Sequence, residues 1–137
     1  MTSPVPEIRL KQIASDACAS ALEKAERYEH SRMEEWNGQI INQILQSLIS
    51  ESKGDKPDAS CPFKFAINST IIQHLEDPAP KGTDENAGSQ RKVGRRGMHS
   101  AAGAYWNNEK DGMWSFKWEG GEAKGMDVVV SVIWIAV

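Results

Sequence analysis

The chain has 137 residues, 39% hydrophobic and 26% charged, with sixteen basic against nineteen acidic side chains and a formal net charge of −3. That length suits one globular core without disulfides or a structural metal, and the composition excludes wholesale disorder. The acidic balance argues against nucleic acid as the main partner, because such domains normally carry a basic face.

The N-terminus, MTSPVPEIRL, has no basic stretch followed by an apolar one, so it does not read as a secretory signal. Pro4 and Pro6 precede a helix expected over 7–29. In it Ile13, Ala17, Ala21, Leu22, Ala25 and Tyr28 recur at three- and four-residue intervals, with Lys11, Glu23, Lys24, Glu26 and Arg27 on the remaining surface. The apolar face is alanine-rich, which implies a close approach to a neighbouring helix. A second helix is expected from Ser31, where Ser31-Arg32-Met33-Glu34 has the form of a capping box. Its stripe of Met33, Trp36, Ile40, Ile44 and Leu48 is widened by Ile41, Leu45 and Ile49, enough to face a sheet and a helix together. Gly38 inside this helix suggests a close backbone approach. The polar run SESKGDKPD ends it.

From Phe63 the period changes to two, predicting a first strand over 63–75. Residues 76–97 are rich in Pro, Gly and polar groups, and are expected to form a mobile insertion loop. Its Arg91, Lys92, Arg95 and Arg96 read as a solvated charge run. A second strand is expected over 98–107, a third over MWSFKWEG with Trp114, Phe116 and Trp118 on one face, and a fourth over 126–137. The fourth is apolar on both faces, the mark of a central strand covered on two sides. The order predicts an α+β domain, two N-terminal helices packed on a four-stranded antiparallel sheet. Two helices cover only one sheet face, so a homodimer is the economical cover for the other. The second strand has small side chains (Ser100, Ala101, Ala102, Gly103, Ala104) and follows the longest loop. Such a strand can leave its own sheet for a partner's, or dock an extended peptide.

Nothing in the sequence reads as catalytic. His30, His74 and His99 stand in no metal-ligand spacing, there is no nucleophile elbow, and the glycines near Gly94 and Gly97 form no phosphate-binding loop. Cys18 and Cys61 lack CxxC spacing and read as free thiols of a reducing compartment. The longest apolar run, Val128 to Val137, is about half of a membrane span. A soluble, intracellular, non-enzymatic protein is expected, with no cofactor, no metal and no membrane insertion.

YEHSRMEEWN at 28–37, running into IINQILQSL, resembles the second-helix signature of the Tctex-type dynein light chains. FKFAINSTIIQ at 63–73, GMHSAAGAYWN at 97–107, the Asp111-Gly112 turn and FKWE at 116–119 are similar to that family's strands, in order. The connections at 51–62, 76–97 and 120–125 are longer than is usual in it. The resemblance implies a homodimer that exchanges its second strand, here Met98 to Trp106. It further implies a non-catalytic subunit of the dynein motor that clasps an extended intermediate-chain segment by strand addition, some members also holding cargo proteins. Transferred to this sequence, Met98, His99, Ser100, Ala101, Ala102, Gly103, Tyr105 and Trp106 become exchange or groove residues, with Trp36 and Gln39 from the second helix. A cytoplasmic location on microtubules follows from the same resemblance. The alternative is a dynein-independent adaptor of the same fold.

Overall fold

A computed structural model of the chain describes residues 3–56, 58–74 and 98–137. The expected loop at 76–97, with its basic cluster, lies outside the described residues. Two helices, α1 (Glu7–Ala21) and α2 (Met33–Ser52), precede three strands, β1 (Phe63–Gln73), β2 (Gly112–Trp118) and β3 (Met126–Ala136). The strands form one antiparallel sheet in the order β1-β3-β2.

α1 is shorter than the 7–29 expected. It stops at Ala21 because the chain turns at Leu22, whose N–H bonds back to Cys18 O, while Ala25 N–H bonds to Leu22 O. Lys124 Nζ donates to the Leu22 and Glu23 carbonyls, placing a cation where the helix dipole favours one. Leu22 and Ala25 remain buried, so a turn carries on the apolar period of the helix. The expected capping box does not form. His30–Arg32 make a single 3-10 turn, α2 starts at Met33, and no side chain caps it. Glu34 and Glu35 still occupy the first turn, where negative charge is favourable, and Arg32 bonds Glu35 at 2.8 Å.

Burial on α2 follows one row of residues four apart, Trp36, Ile40, Ile44 and Leu48. These meet Leu10, Ile13, Ala14, Ala17 and Cys18 of α1 and Val128, Val130, Val132 and Trp134 of β3 in one core. The register puts Ile71, Ser69, Ile67 and Phe65 of β1 beside Val128, Val130, Val132 and Trp134, with Trp118, Phe116 and Trp114 of β2 beside the first three from the other side. Trp114 and Phe116 stack, their centroids 5.5 Å apart. β3 is central, as its two apolar faces imply. Gly38 does not fit its expected role, because a Cβ there would meet nothing within 4 Å.

Residues 98–107 form no strand, and the described residues hold three strands where four were expected. Alanine, serine and glycine offer little to bury, so this segment gains nothing by lying on its own sheet. The first strand ends at Gln73 instead of 75, although His74 N–H still reaches Gly125 O.

Candidate partner-binding surface

The segment from Met98 to Tyr105 makes no ladder hydrogen bond with any described residue, and all eight residues are exposed. Tyr105 is fully exposed, and Trp106 is half-buried, donating Nε1 to Asn108 Oδ1 at 3.2 Å. The segment is anchored just after this point. Asp111, only 4% exposed, accepts from Asn107 N at 2.9 Å and from Ala136 N at 2.7 Å. Its own N–H bonds Asn107 O at 2.8 Å. One carboxylate therefore closes the 107–111 turn and fastens it to the end of the central strand.

β1 is an edge strand, paired only with β3 among the described residues, so its outer row of N–H and C=O groups is open. α2 lies along it, fixed by Ser69 Oγ donating to Asn37 Oδ1 at 2.8 Å. Asn37 heads a row with Ile41, Leu45 and Ile49, spaced so that all face the β1 side of the helix. Ile41 and Leu45 are half-buried and Ile49 is exposed. An apolar helix flank thus borders an unpaired strand edge, the combination that receives an extended chain.

The expected residues distribute unevenly over this surface. Trp36 is a core residue, 2% exposed, with the Arg32 guanidinium 5.2 Å from its ring centroid, so it supports α2 from beneath. Gln39 is exposed but sits about 200° around the helix from Asn37, at 100° per residue, away from the β1 edge. Met98, His99, Ser100, Ala101, Ala102, Gly103 and Tyr105 lie together on the free segment. The sequence places Ile41, Leu45 and Ile49 in the wide apolar stripe of the second helix and gives them no role in partner binding. Their signal was a second apolar row, one position off the first.

Among the described residues, no helix or strand covers the sheet face turned away from the helices. Ala66, Ile133 and Met113 form one row across the three strands, and Asn68, Ser131 and Ser115 form the next, Ser115 Oγ lying 3.3 Å from Ser131 Oγ. Ile135 is exposed at one end. At the other, Asp127, 6% exposed, lies 3.1 Å from His74 Nε2 and 3.7 Å from Lys117 Nζ, and Lys117 also reaches Glu119 at 3.1 Å. That one carboxylate ties all three strands together.

Burial pushes the Cys18 thiol up to about 12, which removes it from nucleophilic chemistry, and Cys61 lies 3.3 Å from Ser52 Oγ. Among the described residues no cluster of His, Cys, Asp or Glu could hold a metal ion, and no helix is long and apolar enough to cross a membrane. His99 faces solvent, and no described residue stands beside it as the partner group that would make it a base.

The sequence pattern of the Tctex-1 family matches residues 4–135. A Tctex-type dynein light chain of Schizosaccharomyces pombe is 32% identical over 137 residues, the whole of both chains. A Tctex-type dynein light chain of Drosophila melanogaster is 30% identical over 110 residues, 80% of this chain and 72% of that one. Topoisomerase I damage affected protein 2 of Zygosaccharomyces rouxii is 23% identical over 134 residues, 98% of this chain and 89% of that one. With its two helices, its antiparallel sheet and a match over nearly its whole length, the chain belongs to the Tctex-1 family of dynein light chains, structural subunits and not enzymes.

Proposed function

We propose that this chain is a light-chain subunit of a dynein motor, a single Tctex-type domain over 1–137 that works as a homodimer. In this reading Met98 to Trp106 leaves its own subunit and pairs with the open β1 edge of the other, completing a fourth strand. An extended intermediate-chain segment then lies between that strand and the Asn37–Ile41–Leu45–Ile49 flank of α2, adding by main-chain hydrogen bonds. His99, Ser100, Ala101, Ala102, Gly103 and Tyr105 contact the partner strand or the peptide, and Met98 and Trp106 bound the exchange. The observation that carries this reading is the pairing of two incomplete parts: an exposed, ladder-free segment and an unpaired strand edge beside an apolar helix flank. Two such sites in one dimer raise the effective concentration of a second binding event without new contacts. The subunit accordingly stabilises its intermediate chain, supports cargo attachment, and resides in the cytoplasm on microtubules.

Sedimentation of the full chain, with calorimetric titration of an intermediate-chain peptide, tests the proposal. A dimer that binds one peptide per subunit is expected, and a monomer without binding refutes it. A second reading, a dynein-independent adaptor of the same fold, draws on the relative named for topoisomerase I damage. Co-purification with the tagged chain decides between them: dynein subunits support the first reading, and a different stable assembly supports the second.

A further inference from the structure

The sheet has a second open edge. β2 pairs with β3 along its inner side, and among the described residues no strand pairs with its outer side. Proteins usually shield such an edge with proline, a bulge or inward charge. β2 has no proline, and its only charge, Lys117, is on the face away from the helices, engaged with Glu119 and Asp127. The helix-facing side is aromatic instead. Trp114, Phe116 and Trp118 are all only half-buried, and the first two stack almost parallel, with 8° between their planes. The helix above them is α1, whose inward side chains include Ala14, Ala17 and Cys18, too short to cover the rims of the rings. Just past the end of β2, Glu119 and Glu122 lie exposed.

We infer that the outer edge of β2 is a second peptide-docking site, separate from the β1 edge. Its occupant is an extended segment of another protein with apolar side chains at alternate positions and a basic residue at the Trp118 end. Open N–H and C=O groups call for a strand, the three rings accept every second side chain, and the exposed Glu122, beside a Glu119 that already bonds Lys117 through one oxygen, matches a cation. A second copy of this chain is a poor fit. Antiparallel self-pairing centred on Ser115 sets Glu119 across from Asp111 of the partner subunit, acid against acid, and leaves both acidic ends unmatched.

The test pans a phage-displayed library of random 12-residue peptides on the full chain and follows amide hydrogen exchange with the selected peptides. Peptides with alternating apolar residues and a terminal Lys or Arg are expected, protecting every second amide across Gly112–Trp118. Phe116→Leu, which keeps an apolar side chain but removes the stack, should weaken binding at least threefold. Gly103→Pro, which blocks the 98–106 segment from pairing, should leave it unchanged. The Gly103→Pro arm separates this site from the β1-edge site, so either can fail alone. If Phe116→Leu does not fold, the exchange pattern of the unaltered chain decides. Peptides that protect β1 and not β2, or a library that yields no binder, overturn the inference. Protection of the β2 amides that rises with protein concentration and without peptide also overturns it, by assigning the edge to a second copy.

Discussion

The carboxylate of Asp111 holds a turn to the end of the central strand, and its removal has a calculable effect. It accepts two main-chain N–H groups, from Asn107 and Ala136, in a position only 4% exposed. Asp111→Ala removes the acceptor of both amides. At up to about 3 kcal/mol for the half-buried Ala136 amide and about 1 kcal/mol for that of the exposed Asn107, which water can reach, the expected loss is roughly 3–4 kcal/mol. For a chain of this size that corresponds to a fall in Tm of about 10–15 °C. Asp111→Asn keeps one acceptor oxygen and loses the charge, so about half of that effect is expected. Denaturant titration at one fixed protein concentration measures both, which matters if the chain associates. Amide exchange at Ala136 provides a local check, because its protection should disappear in Asp111→Ala. A Asp111→Ala variant within about 1 kcal/mol of the parent, near the ordinary scatter for surface changes, would refute the argument that this group holds the turn to the sheet.

Two glycines should respond with opposite signs. Gly120→Ala drives a Cβ to 2.6 Å from Cζ2 of Trp118, and overpacking of this kind costs about 1–3 kcal/mol. Gly38→Ala meets open space within a helix and should stabilise by up to ~1 kcal/mol, both read by chemical denaturation. With a thiol-reactive chromophore at pH 8, Cys61 should react readily and Cys18 only on unfolding, because burial holds the Cys18 proton to about 12. Hydrogen bonds from Arg9, at 2.9 and 2.6 Å, and its charge hold the Glu51 carboxylate below its usual pKa. Its contribution is therefore present above the unfolded carboxylate value and is lost as pH falls through the lower folded one. The gap in Tm between the parent and Glu51→Gln should accordingly be open at neutral pH and close in strong acid.

Much of this fold could be read from the chain, for identifiable reasons. Trp114, Phe116 and Trp118 alternate with polar residues over the length of a strand, and no helical period accommodates them. The two-sided apolarity of residues 128–135 places β3 in the middle. The misreadings came where a local pattern has two physical realisations. Leu22 and Ala25 keep a helical spacing after the helix has ended, because a turn buries them as well. Ser31 and Glu34 stand at capping distance, but the chain arrives through a 3-10 turn that leaves the serine unused. Small residues at 100–104 were read as a strand, although a strand with little to bury needs a partner to form. On the candidate surface, the free segment was legible from its composition, whereas the helix flank was not. Periodicity marks Ile41 and Leu45 as apolar and cannot say which part of a wide stripe the sheet reaches.

The row of Asn68, Ser131 and Ser115 has a consequence for partner choice. It lies between the row of Ala66, Ile133 and Met113 and the row of Thr70, Val129 and Lys117, so a cover of that face meets polar side chains in a line along its middle. The two serines bond each other and Asn68 Oδ1 accepts from Thr70 Oγ1, so a wholly apolar cover would leave chiefly the Asn68 amide N–H groups to be satisfied, at about 1–3 kcal/mol. A surface bearing its own hydroxyl and amide row at matching height answers them at no such cost, and a copy of the same sheet related by a two-fold axis bears one by symmetry. In a dimer built on this face, a mate with valine or leucine in that row would lose the polar match without any clash, which is selection by mismatch.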